Sequence, residues 1–261
     1  MKISIIIPTY KPSTEYFNAC IESAAHQTLN KNLYEIIIIL NGPKEPYFEI
    51  IHKIINKYKA SANINLIYTL KKGVSNARNI GIETAQGVFL CFLDDDDFIS
   101  ENYLQELLKV SNSNGISVSN VYQYYQSLDS LKDDYLTMNR EVPEGILFNR
   151  KYLSNACCKL IPKSIIGNIR FNPKVEKGED SLFMFNISPK IKQINKAKEN
   201  CIYYRRMTEN SVSRRRYTIW HKLTCNIKLC HEYNKIILKH PLGYNWILYL
   251  TRILATLRKI I

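Results

Sequence analysis

The chain has 261 residues, 46% hydrophobic and 23% charged, long enough to bury a core and unlike disordered or fibrous compositions. Its net charge of +13 is uneven, with twelve Lys and Arg against two Glu from Tyr203 to the end, so that end is expected to meet something anionic. The seven cysteines are odd in number and scattered. They predict reduced core thiols and, because neither Cys157–Cys158 nor Cys225 with Cys230 has a second pair at ligand spacing, argue against zinc.

Residues 3–7 read as a short strand ended by Pro8, and residues 13–27 as a helix with Phe17, Cys20, Ile21 and Ala24 on one face. The apolar run before Pro8 is too short for a signal peptide and no window reaches the length of a membrane span, which predicts a cytoplasmic protein. Residues 34–40 form a second strand broken by Asn41-Gly42-Pro43, and residues 46–58 carry Phe48, Ile51, Ile54 and Ile55 at helical spacing. A third strand over 63–69 and a short helix over 74–85 follow. Residues 88–93 are then six consecutive apolar residues, expected to be a strand buried on both faces.

Asp94-Asp95-Asp96-Asp97 follow that strand directly. Consecutive carboxylates repel, so they need a compensating cation or donor array. Either Asp97 or Ser100 caps a helix beginning near Glu101 while the others face water, or the run holds a divalent metal at the carboxyl end of a sheet strand, where open α/β sheets bind ligands. Strands alternating with helices imply parallel βαβ units over residues 1–100. Neither a G-x-G-x-x-G loop nor a Walker lysine motif occurs, so a dinucleotide or P-loop site is not supported.

The second half is less regular. Leu104, Leu107 and Leu108 define a helix, 116–125 reads as one strand, and the polar stretch 127–144 reads as a mobile loop over the site. A segment over 156–162, a loop with Phe171-Asn172-Pro173, a helix over 181–187 opened by Gly178-Glu179-Asp180, and a strand over 201–205 complete it. In the tail, Trp246, Ile247, Leu250, Ile253, Leu254, Leu257 and Ile261 share a helical face with Arg252, Arg258 and Lys259 off it. Such a helix either lies in an anionic membrane interface or packs on the core or a second copy.

Five features stand in order: Ile7-Pro8-Thr9-Tyr10, Asn41-Gly42, Gly73 to Gly81 with Arg78-Asn79, the four aspartates, and Glu179-Asp180. Together they resemble the family 2 glycosyltransferases, inverting enzymes of the GT-A fold, over about the first 210 residues. The resemblance implies an α/β GT-A fold with a mixed central sheet: a Rossmann-like nucleotide-sugar half at 1–100, an acceptor half of the same domain at 101–210, and a basic helical tail at 211–261.

The resemblance also implies roles. Pro8, Thr9 and Tyr10 would lie under base and ribose, and Asn41 stands where many members carry an acidic residue. Arg78 would reach base or diphosphate; read alone, it is a solvated helix residue paired with Glu83. Asp94 and Asp96 match the D-x-D pair, with Asp96 on Mn²⁺ or Mg²⁺ and Asp94 or Asp95 on ribose or sugar hydroxyls. Asp180 would be the general base and Glu179 the second choice, a pair that could otherwise simply complement a helix N-terminus. Arg205 or Arg206 would contact phosphate, near a flexible segment with Ser211, Ser213 and Arg214-Arg215-Arg216.

The implied reaction moves a sugar from a nucleotide-sugar donor, UDP-hexose or UDP-N-acetylhexosamine, to a hydroxyl of a lipid-linked or oligosaccharide acceptor. The implied setting is bacterial surface polysaccharide synthesis (O-antigen, capsule or lipopolysaccharide) at the inner face of the cytoplasmic membrane, with the tail as a peripheral membrane contact and the oligomeric state open. Competing readings are a nucleotidyltransferase, a non-catalytic glycan binder, and a nucleic-acid binder. The last is opposed by the aspartates and by the absence of a recognition motif.

Overall fold

The computed structural model describes residues 1–125, 128–139, 141–207 and 218–258. Strands β1 (Ile3–Thr9) and β2 (Tyr34–Leu40) are buried along their whole length, as their unbroken isoleucine runs require of central strands. With β3 (Asn63–Tyr68) and β4 (Phe89–Phe92) they form a parallel array in the order β3-β2-β1-β4. The intervening helices are α1 (Thr14–Ala25), α2 (Tyr47–Asn56) and α3 (Val74–Thr84).

Strand β1 runs through Pro8 instead of ending there. The Thr9 carbonyl accepts from Asn41 N–H on the β2 side, and the Ile6 carbonyl accepts from Leu93 N–H on the β4 side. Alternation along the strand therefore aims the Pro8 nitrogen at the β4 side, past the last β1–β4 pair, Ile6 with Phe92. No ladder donor is lost there.

After β4 come a two-residue strand β5 (Phe98–Ile99) and helix α4 (Tyr103–Lys109). The helix N-cap is Asn102 with no side-chain cap, so neither Asp97 nor Ser100 caps it. The single strand expected over 116–125 is two, β6 (Gly115–Val118) and β7 (Asn120–Tyr124), separated at Ser119 and belonging to different sheets. Part of the polar stretch after β7 is ordered into β8 (Lys132–Asp133), antiparallel to β7. Residues 127 and 140 of that stretch lie outside the described residues.

Strand β9 (Lys159–Pro162) lies antiparallel between β4 and β6, and β10 (Gln193–Lys196) pairs in parallel with β6. The result is a mixed seven-stranded sheet, β10-β6-β9-β4-β1-β2-β3. Strand β11 (Ile202–Arg206) joins β5, β7 and β8 in a second sheet of four, β5-β11-β7-β8. A short helix α5 (Lys163–Ile166) follows β9, and α6 (Glu179–Ile187) starts at Gly178, whose φ of 80° is a left-handed conformation suited to glycine.

The tail contributes α7 (Ile219–Lys239) and α8 (Trp246–Leu257). On α8 most of the apolar stripe does not face the core: Trp246, Ile247, Leu250, Leu254 and Leu257 are exposed and Ile253 packs partly against it, while Leu248, Arg252 and Thr256 are buried. Arg252 Nη2 donates to the Arg150 carbonyl at 2.7 Å. Lys259 and Ile261, like Ser211, Ser213 and Arg214-Arg215-Arg216, lie outside the described residues. Five of the cysteines are buried and all seven are free thiols.

Helix α3 touches β1 at Gly81, where an added Cβ would come within 2.3 Å of Ile6 Cγ2. Overpacking of that kind typically costs about 1–3 kcal/mol. Gly81→Ala is therefore expected to lower the urea midpoint by a corresponding amount with an unchanged slope.

Candidate active site

The carboxyl end of β4 and the start of α6 converge on one buried guanidinium. Arg78 projects from the sheet-facing side of α3, with only 4% of its side chain exposed. Its Nη2 lies 3.0 Å from Asp94 Oδ1, and its Nη1 lies 2.5 Å from Asp180 Oδ1 and 3.4 Å from Glu179 Oε1. The Phe171 ring lies against the guanidinium, 5.3 Å from Cζ to centroid. The reading of Arg78 as a solvated partner of Glu83 is therefore overturned: Arg78 is buried among carboxylates, and Glu83 pairs with Arg170. A charge removed from water needs compensation of this kind.

The four aspartates have separate partners. Asp94 takes Arg78. Asp95 accepts a short hydrogen bond from the Thr9 hydroxyl at the end of β1. Asp97 is buried and accepts from the Tyr203 hydroxyl at 2.7 Å and from the Arg206 amide at 2.7 Å. Tyr203 in turn accepts from the Asp94 amide at 3.3 Å, so β11 holds the turn from both ends. Asp96 has no ion pair among the described residues. Arg206 donates from Nε to its backbone oxygen at 3.1 Å and is sandwiched by the Tyr16 and Tyr124 rings.

Burial sets the protonation of this cluster. It raises the Asp95 carboxyl to about 7 against the pull of the Thr9 hydroxyl, and with the Asp94 charge it raises Asp96 to about 6. Asp97 is pushed well above the usual carboxylate range by burial and then by Asp96 and Asp94. Glu179 reaches about 7 through burial and the adjacent Asp180, opposed by Arg78. A second carboxylate oxygen of Asp180 accepts from the Ala156 amide at 3.3 Å. Repelling carboxylates with raised proton affinity and an oxygen-only donor set fit a hard divalent cation, which Asp96 and Asp94 would hold.

On the other side of Thr9, Asn41 is buried and its Oδ1 has no hydrogen-bond partner. Tyr10 is half exposed and lies over Gly42, where an added Cβ would meet its ring at 2.9 Å. Pro8, Thr9, Tyr10 and Asn41 thus share one rim, with Asp94, Asp95 and Asp96 beside it. Arg205 points elsewhere: it pairs with the buried Asp134 at 2.6 Å, which leaves Arg206 on the aspartate side.

Several supporting groups escape a sequence reading. Asn79 holds Phe171 by reciprocal bonds, Nδ2 to the carbonyl at 2.9 Å and Oδ1 from the amide at 2.8 Å. Lys159 is fully buried, donates to the carbonyls of Asn155 and Cys157 at 2.5 and 2.6 Å, and so fixes the loop that delivers the Ala156 amide. Burial lowers its ammonium to about 8. A lysine opening the apolar run Leu160-Ile161-Pro162 is the one available hint.

The family model described as glycosyl transferase family 2 matches residues 4–169. The chain is a family 2 glycosyltransferase. A Haemophilus influenzae relative described as an uncharacterized glycosyltransferase is 30% identical over 192 residues, covering 73% of each chain. The minor teichoic acid biosynthesis protein GgaB of Bacillus subtilis is 29% identical over 210 residues, which are 77% of this chain but 23% of that protein. The crystal structure of Staphylococcus aureus TarS 1-349 in complex with UDP-GlcNAc superposes with a TM-score of 0.73 at 18% identity, over 91% of this chain and 67% of that one. This likeness establishes the GT-A fold.

Carboxyls that hold protons more tightly in the folded glycosyltransferase than in the unfolded chain make the folded state bind more protons, so stability falls as pH rises through the gap. For Glu179 that gap runs from 4.5 to about 7. With EDTA present, the urea midpoint is expected to drop across this window in the wild type and to drop less in Glu179→Gln.

Proposed function

We propose that the enzyme transfers a sugar, with inversion, from a UDP-sugar to a hydroxyl of a cell-surface polymer or its lipid-linked precursor. The single observation that carries this reading is Arg78, which joins the D-x-D strand end to the Glu179-Asp180 helix start. Donor-side and acceptor-side carboxylates are thereby held within one guanidinium's reach. Teichoic acid synthesis by GgaB and the UDP-GlcNAc of the TarS complex support the polymer class and the base.

The rim of Tyr10 and Asn41 would receive the base. The unpartnered Asn41 Oδ1 accepts the imide N–H of uracil, while the Tyr10 ring offers stacking area. Thr9 and Asp95 take ribose hydroxyls. Asp96 and Asp94 would hold Mn²⁺ or Mg²⁺, which would supply neutralisation of charge on the departing diphosphate. Arg78 keeps the Asp180 carboxylate oriented, and the Ala156 amide fixes its second oxygen. Asp180 then takes the proton of the acceptor hydroxyl as that oxygen attacks the anomeric carbon, with the nucleoside diphosphate leaving on the opposite face.

Asp180→Asn is expected to lower kcat by about 10²–10⁴ with little change in donor affinity. Asp96→Asn is expected to abolish the metal dependence of donor binding. Both are read by release of UDP from UDP-sugars with Mn²⁺ and acceptor glycan. Release of pyrophosphate from a nucleoside triphosphate would establish a nucleotidyltransferase instead, and absence of any nucleotide binding would overturn donor transfer in favour of a non-catalytic role.

We also place α7 and α8 on an anionic bilayer surface, which supplies a lipid-linked acceptor. Trp246, Leu250 and Leu257 on α8 and Ile227 and Leu238 on α7 are exposed. Both stripes border one seam, because Tyr249 beside Trp246 donates to Asn234, which shares a helical face with Ile227 and Leu238. Exposed Lys222, Lys228, Lys235, Lys239 and Arg258 flank them, the pattern of an interfacial helix. Among the described residues no helix is long and apolar enough to cross a membrane. The double variant Trp246→Ser, Leu250→Ser is expected to lose co-flotation with anionic vesicles while keeping UDP binding. Unchanged flotation, or concentration-dependent dimers lost in the variant, would remove the bilayer from this face.

A further inference from the structure

A second cluster of metal-ligating side chains lies outside the aspartate site. His221 and Cys225 stand four residues apart in the first turns of α7, and so share one helical face. Their Nε2 and Sγ are 3.5 Å apart. Glu176, from the loop between Phe171 and Gly178, brings Oε2 to 3.8 Å from the same Nε2. The three ligand atoms all lie within 4.8 Å of one another.

A weak sulfur hydrogen bond and an ion-pair contact converge on one nitrogen, His221 Nε2. A carboxylate 3.8 Å from an imidazole nitrogen is beyond hydrogen-bond range, and a thiol is a weak donor and acceptor. A tetrahedral ion also accounts for the convergence. With Zn–S of about 2.3 Å and Zn–N and Zn–O of about 2.0–2.2 Å, ligand atoms at the tetrahedral angle are separated by about 3.3–3.6 Å. The two separations to His221 Nε2, 3.5 and 3.8 Å, lie at or just above that range, and the third is no more than 4.8 Å.

We propose that Glu176, His221 and Cys225 form a zinc site, with water in the fourth position. Ligand softness selects the ion: a thiolate and an imidazole favour zinc over the magnesium or manganese that an all-oxygen set such as Asp94 and Asp96 prefers. Binding deprotonates Cys225 and releases that proton to solvent, so affinity rises with pH. A search for paired cysteines misses the site because its ligands are one Cys, a His four residues earlier, and a Glu about 50 positions away in sequence.

The site has a structural consequence for the catalytic helix. Glu176 is two residues before Gly178, the turn that launches Glu179 and Asp180 into α6. Helix α7 already presses on this region: an added Cβ on Gly178 would come within 2.5 Å of Leu229 Cδ2, Ser181 and Tyr233 hydroxyls are 2.7 Å apart, and Asn172 donates to Glu232 at 3.0 Å. Zinc adds a clamp at the N-terminal end of the same interface and ties the loop before the base to the tail.

The test uses the untagged, metal-stripped full chain titrated with Co²⁺ as a spectroscopic stand-in and with Zn²⁺ itself. A thiolate-to-cobalt charge-transfer band is expected in the near ultraviolet. It is expected to be displaced by Zn²⁺, lost in Cys225→Ser, weakened at least about tenfold in apparent affinity in His221→Ala and Glu176→Gln, and retained in Asp96→Asn. Zn²⁺ is expected to raise Tm in the wild type and in Asp96→Asn but not in Cys225→Ser. Absence of the band in the wild type, or its survival in Cys225→Ser, would overturn the site. Cys225 is only partly buried, so its serine variant tests ligation without emptying a core position.

Discussion

Everything in the catalytic half depends on one buried charge. Arg78 is nearly sealed from solvent, and a guanidinium cannot shed its proton, so its burial is tolerable only beside carboxylates. Those carboxylates come from places far apart in the chain: Asp94 from the end of β4, and Glu179 and Asp180 from the start of α6. Removing any one weakens the reason for the others to be there. The guanidinium is thus a structural tie that sets the distance between Asp94 and the Glu179-Asp180 pair.

The aspartate run shows how four like charges share one turn. Three are assigned to protein partners: Asp94 to Arg78, Asp95 to the Thr9 hydroxyl, and Asp97 to Tyr203 and the Arg206 amide. Asp97 is the anchor. It lashes the turn to β11 and hence to the second sheet, and this tie accounts for the two-residue strand β5 where a helix cap had been the simpler expectation. Asp96 has no ion pair among the described residues: burial and the Asp94 charge raise its proton affinity against the pull of Arg206, a balance that suits a hard cation ligand.

The first half of the fold was legible because its signals are local. The isoleucine runs of β1 and β2, the helical spacing of α2 and the apolar run of β4 each specify an element without reference to anything distant. The rim residues Pro8, Thr9, Tyr10 and Asn41 were legible only through the family resemblance, since their places at strand ends taken alone mark a strand terminator. Arg78 could be named but not its surroundings, although Ser75, Arg78 and Ile82 fall on one helical face and a charge on a buried face calls for buried counter-charges. The second half resisted because its information is non-local. Ser119 divides an apparently continuous strand between two sheets, and Lys159, Ala156 and Phe171 matter only through what folds against them.

The tail shows the limit of amphipathic pattern. On α8 the periodicity correctly marks an apolar stripe, but periodicity says nothing about which face meets the protein. The core takes Leu248, Arg252 and Thr256, where Arg252 satisfies the carbonyl of Arg150, and leaves the larger apolar stripe outside. Helix α7 meanwhile packs on the turn that starts α6 through Leu229, Tyr233 and Glu232. Contacts made by the outer face of the tail are therefore only one helix thickness from the residues that would activate the acceptor, and whatever binds that face acts on a support of the base. On the proposed bilayer placement, the surface that would hold a lipid-linked acceptor would also bear on the helix that supports Asp180.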